Sequence, residues 1–135
     1  MKRAQISFEY LYLVGTVLIL LSVGYSYFSS ISIDYANQEF VEDIVRNLKS
    51  VSDEVYSLGY PNKRVLSLYF PKNIDYQNSF VTNKTIQVSY VVENVSKNIF
   101  RLVNYNVSGT LPSTAGQYLF NVSVQKNGTV FIVLS

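Results

Sequence analysis

Residues 1–28 read MKRAQISFEYLYLVGTVLILLSVGYSYF, and this stretch decides the architecture. From Tyr10 to Ile33 the chain has no Asp, Glu, Lys or Arg. That run exceeds the roughly 20 residues a helix needs to cross a bilayer. Its strongly apolar part is Tyr10–Val23; Ser22, Ser26, Ser29, Ser30 and Ser32 soften the far end. The Lys2-Arg3 pair ahead of the run predicts an N-terminus held on the cytoplasmic side, with the rest of the chain outside. One carboxylate, Glu9, stands at the mouth of the apolar run, where a charge is expensive.

The remaining composition narrows the chemistry. The chain has 135 residues, with 12 Tyr, 8 Phe and no Cys, His or Trp. There is no disulfide framework, no thiolate nucleophile and no imidazole base or ligand. Lys2 and Arg3 account for the whole formal net charge of +2. The other bases are scattered, with no basic patch of the kind nucleic acid requires. No catalytic residue, cofactor or metal is expected, and no nucleic acid. The only carboxylates after residue 60 are Asp75 and Glu93, with no motif to pair them.

Three readings of the leader compete. A secretory signal peptide is cut after its apolar core, but Glu9 is unusual there, and Ser29-Ser30-Ile31-Ser32 is a poor cleavage site. A plain signal anchor is never cut. A third kind of leader is cut before the apolar run, which then stays on the mature protein. Gln5-Ile6-Ser7-Phe8-Glu9 followed by Tyr10-Leu11-Tyr12-Leu13 fits Q-x-S-x-E-x-x-x-L. This resembles the class III signal peptide of archaeal type IV pilin-like proteins.

The resemblance implies several things at once. A prepilin peptidase would cut between Ala4 and Gln5, although the family often has Gly where Ala4 stands. The apolar segment would form the first half of a long helix. Glu9 would be the assembly residue, neutralising the new α-amine of Gln5 on a neighbouring subunit. An uncompensated buried cation costs several kcal/mol, so this partnership has a physical purpose. The blander account of Glu9 is a carboxylate favoured near a helix N-terminus by about 0.3–1 kcal/mol. Partners implied are identical or related pilin subunits in a helical homopolymer, the prepilin peptidase, an assembly ATPase and a membrane platform protein. The precursor would sit in the cytoplasmic membrane with its N-terminus inside, and the product in a cell-surface adhesion filament.

Beyond Asp34 the pattern turns amphipathic. Phe40, Ile44, Leu48, Val51, Val55 and Leu58 recur at helical spacing, with charges on other faces. Gly59 and Pro61 read as a stop. Joining both halves gives a helix from Ile6 to about Leu58, roughly 80 Å long at about 1.5 Å per residue. Gly24, the serines and the β-branched residues of Ser22–Asp34 weaken helix propensity there and mark a place for a kink.

From Arg64 the period becomes two. Strands are expected over Val65–Phe70, Thr85–Glu93, Asn98–Tyr105, Tyr118–Gln125 and Val130–Leu134. Asn127-Gly128 reads as a two-residue hairpin turn and Asn94–Lys97 as another turn. Gly109–Gly116, with Pro112, reads as an exposed loop. Five asparagines, Asn83, Asn94, Asn106, Asn121 and Asn127, begin N-x-S/T sequons. All five lie in the part placed outside, and they are candidate glycosylation sites of a surface glycoprotein.

The expected fold is α+β, with a long N-terminal α-helix and a C-terminal antiparallel sheet of four or five strands in meander order. Its parts are a leader (1–4), an apolar helix segment (5–33), an amphipathic half (34–60) and a β-rich head (61–135). The expected function is a structural pilus subunit. The alternatives are a minor pilin-like or membrane-tethered surface binding protein, and, more distantly, a tethered hydrolase.

Overall fold

The computed structural model describes the backbone of residues 2–135 and the side chains of residues 8–29, 31 and 36–135. The fold is α+β: one long helix followed by a seven-stranded, mostly antiparallel sheet. Helix α1 spans Lys2–Leu58 and continues through Ser22–Asp34. The chain divides into two compact units, Met1–Asn37 and Gln38–Ser135.

In the first unit, no residue of Phe8–Ser29 is buried. Leu11, Leu18, Ile19, Leu20, Leu21 and Val23 are each more than half exposed, and they point in all directions around the axis. A helix that is apolar on every side has no internal solution to its own burial.

In the second unit, the helix from Gln38 to Leu58 lies against the sheet. Val41, Ile44, Val45, Leu48, Ser52 and Val55 face inward. The stripe is therefore rotated from the expected one. Phe40 and Leu58 are exposed, at 51% and 52%, and Val51 is half-buried. Phe40 instead meets Tyr69 edge-on at 6.2 Å, on the flank of the contact. Asn62 closes the helix end, its amide donating to the carbonyls of Leu58 and Gly59 at 3.0 and 2.8 Å.

The strands are β1 (Lys63–Phe70), β2 (Ile74–Thr82), β3 (Thr85–Val92), β4 (Val95–Leu102), β5 (Val107–Gly109), β6 (Gly116–Val124) and β7 (Val130–Leu134). Their spatial order is β1-β6-β7-β5-β2-β3-β4. β2-β3-β4 and the antiparallel β6-β7 pair follow the expected meander; the other neighbours do not. β1 pairs with β6 across an intervening half of the head, and β5 pairs with β7 in parallel. Inward-facing Phe70, Ile86, Val88, Tyr90, Val107, Phe120, Val122, Val130 and Ile132 complete the core with the helix stripe.

Two strands escape a reading by periodicity. β2 carries a register shift between Asp75 and Phe80 that breaks its alternation. Ser79 and Asn78 fold over β3 there: the Ser79 hydroxyl accepts from the Ser89 N–H at 2.9 Å, and the Ser89 hydroxyl donates to the Asn78 carbonyl at 2.9 Å. That cover explains why Ser89 is buried on the phase that should face solvent. β5 has three residues, too few to show a period.

The turns also shift. Glu93 and Asn94, both in the left-handed region (φ 49° and 64°), join β3 to β4, so β4 begins at Val95 rather than Asn98. Two positive φ values suit the right-handed twist of a two-residue hairpin. Between β6 and β7 the loop is longer than two residues. The Gly128 N–H donates to the Gln125 carbonyl, the Gln125 N–H to the Thr129 carbonyl, and Gly128 takes φ 80°. In the 110–115 segment Pro112 is buried, not exposed, and Leu111 packs on the core.

Both outer strands reach the helix. Arg64 on β1 pairs with Glu54 at 2.8 Å, and Arg101 on β4 pairs with Glu42 at 2.7 Å. The sheet thus curls around one side of Gln38–Leu58.

Candidate functional site

Two regions carry the sequence-derived candidates, one in each unit. The cleavage pair Ala4 and Gln5 lies outside the residues whose side chains are described. Glu9 lies within them, exposed on the helix. With Phe8, Tyr12, Leu13, Thr16 and Val17 it lines an open, almost wholly apolar groove on one helix face. The spacing of these residues is that of i, i+3 and i+4 neighbours, so they share a face by helical geometry alone. The Thr16 hydroxyl donates to the Tyr12 carbonyl at 2.9 Å and is thereby spent. Glu9 is the only carboxylate on that face. An apolar surface with one carboxylate at its head fits a partner that is apolar along its length and carries one cation.

By length and composition Phe8–Ser29 is sufficient to cross a membrane. Each Leu, Ile, Val or Phe side chain there that leaves water contributes about 1.5–3 kcal/mol. The exposed surface is therefore a strong drive toward lipid or toward other apolar helices.

The sequons of the second unit divide by position. Asn83 (φ 54°) forms the β2–β3 turn and Asn94 the β3–β4 turn at the opposite end of β3. Both are exposed. Asn106, exposed, immediately precedes β5, and Asn127, exposed, sits in the β6–β7 loop. Asn121 is half-buried in β6, opposite Val65 on β1 and Val133 on β7, and its Nδ2 donates to the Ser135 hydroxyl at 3.0 Å. Sequence reasoning placed Asn127 in a turn but had no means of seeing the neighbours of Asn121.

Sequence reading did not single out one polar cluster. The Tyr105 hydroxyl donates to Asp53 Oδ1 at 2.7 Å, and Lys49 pairs with the other oxygen of that carboxylate. Tyr56 stacks on Tyr105 at 4.2 Å. Burial, then the hydrogen bond to the Asp53 carboxylate, pushes the Tyr105 phenol well above its ordinary value. Asp75 is held below the usual carboxylate range, first by the Asn78 side-chain amide at 2.7 Å and also by the Ser96 hydroxyl at 3.1 Å. Both arrangements stabilise the head by tying its elements together. Among the described residues no three Asp, Glu, His or Cys side chains converge as a metal site.

No protein-family model, curated protein or solved structure matches the chain.

Proposed function

We propose that this protein is the structural subunit of an archaeal type IV-like surface pilus, polymerising through its N-terminal helix. One observation carries the reading: a Q-x-S-x-E-x-x-x-L sequence leads directly into a helix that is apolar on every side and covered on none. Such a helix needs lipid before assembly and copies of itself afterwards. In the fibre, Glu9 of one subunit meets the α-amine that cleavage creates on Gln5 of another. The opposite charges offset a desolvation penalty that either would incur alone. The head, residues 38–135, carries its own core and rides outside the helical bundle as the surface of the filament.

Mass spectrometry of purified surface filaments tests the proposal. An abundant chain beginning at Gln5 is the expected result. An intact Met1, or a terminus near Ser30, sinks the processing step. A processed chain found only in membranes, or only in traces within fibres built of another subunit, replaces this reading with a tethered or minor-subunit role. Glu9→Gln is expected to leave the Ala4–Gln5 cut intact and to abolish fibres seen by electron microscopy. Normal fibres from that variant would remove Glu9 from assembly.

A further inference from the structure

The fold sorts five chemically equivalent sequons into two kinds. Asn83, Asn94, Asn106 and Asn127 project from turns and loops. Asn121 lies inside a strand paired on both sides, half-buried, with its Nδ2 already donating to Ser135. Three of the four accessible residues are neighbours. The Val107 N–H donates to the Asn83 carbonyl, and the Val130 N–H donates to the Asn106 carbonyl at 2.9 Å. Asn106 and Asn127 line one surface cavity with Tyr56 and Lys84, so these loops gather at the end of the head where α1 terminates. At Asn127 the side-chain oxygen accepts from the Thr129 N–H at 3.0 Å, which fixes the amide and leaves Nδ2 directed away from that bond.

We propose that the head is N-glycosylated at Asn83, Asn94, Asn106 and Asn127 but not at Asn121, so that the glycans on Asn83, Asn106 and Asn127 cluster at the end of the head where the helix stops. The proposal rests on the reading above only in placing residues 38–135 outside the membrane. The co-reactant is a glycan linked through phosphate to a membrane lipid. The Asn Nδ2 forms a bond to the anomeric carbon, and the anomeric C–O bond to phosphate breaks. The lipid phosphate leaves with that electron pair, and one amide proton passes to solvent. This transfer needs an Nδ2 that can approach a bulky donor. An exposed turn offers that, whereas the half-buried Asn121 amide, held by Ser135 between two neighbouring strands, does not.

Glycopeptide mapping of the full chain from its native membrane and filament fractions tests the assignment. Peptides containing Asn83, Asn94, Asn106 and Asn127 are expected to carry glycan mass, and the Asn121 peptide to be bare. Asn127→Gln and Thr129→Val should each remove one glycan from the intact mass, as should Asn106→Gln and Ser108→Ala. Agreement within each pair separates loss of the acceptor from a folding defect. A bare asparagine at 83, 94, 106 or 127, or a glycan on Asn121 at occupancy comparable with the others, overturns the proposal. The filament reading fails separately. Glycans on a chain that forms no fibres leave the glycosylation standing, and Gln5-terminated fibres with bare asparagines do the reverse.

Discussion

Tyr105 is 7% exposed, and its phenol is hydrogen-bonded to a carboxylate that a lysine also grips. The fold favours its neutral form. Because the phenol's folded value is raised, its contribution to stability is fully present below the unfolded value of about 10 and is lost as pH rises beyond it. The half-buried Tyr76, also raised by burial, adds to the slope. Tyr105→Phe is expected to lower stability at neutral pH by about 1 kcal/mol. The variant should also show a shallower fall in melting temperature above about pH 10. Thermal melts across the alkaline range check both, and an unchanged slope would remove Tyr105 from the titration. None of this was legible beforehand, because Asp53 and Tyr105 are 52 residues apart and nothing local links them. Glu9 is the opposite case. Its neighbours are fixed by helical spacing, so the groove it heads can be drawn from residues 8–17 alone.

Among the elements, the helix stripe and the parallel strand pair make the sharpest demands. Leu48 is fully buried and Leu58 half exposed, although the two occupy equivalent places in the sequence pattern. Leu48→Ala is expected to destabilise the head by about 2–5 kcal/mol, and Leu58→Ala by much less; chemical denaturation that ranks them equally would contradict the rotated stripe. Gly109 sits where β5 meets β7. A Cβ there would lie 2.4 Å from the Ile132 carbonyl oxygen and 2.8 Å from Ile132 Cβ. Gly109→Ala should therefore cost about 1–3 kcal/mol through overpacking, read by the same denaturation. β3 and β6 were legible because each alternates over at least five residues, and β1 and β7 because each is a short apolar run. β2 was not, since its bulge interrupts the alternation, and β5 was too short. The strand order was not legible either: periodicity reports which face a residue takes, not which strand lies beside it. The one-residue rotation of the stripe has the same origin, because Phe40 and Val41 both fit a helical period and only the sheet chooses between them.

At the scale of the molecule, the two units have opposite relations to water. Gln38–Ser135 encloses one apolar core, whereas Phe8–Ser29 encloses no residue. A fragment beginning at Gln38 is expected to be a folded, soluble monomer with cooperative unfolding, and the full chain to need detergent or lipid. Size-exclusion chromatography and circular dichroism distinguish these behaviours; an aggregated fragment would show that the core depends on the first unit. The curl of the sheet around Gln38–Leu58 has a mechanical consequence. Its two outer strands engage the helix on opposite flanks, through Arg64 with Glu54 and Arg101 with Glu42. A pull on Gln38 along the helix axis therefore loads both flanks and the packed stripe together, in shear. The head cannot be peeled from the helix one contact at a time, so a stretched chain should hold until the whole seat gives way.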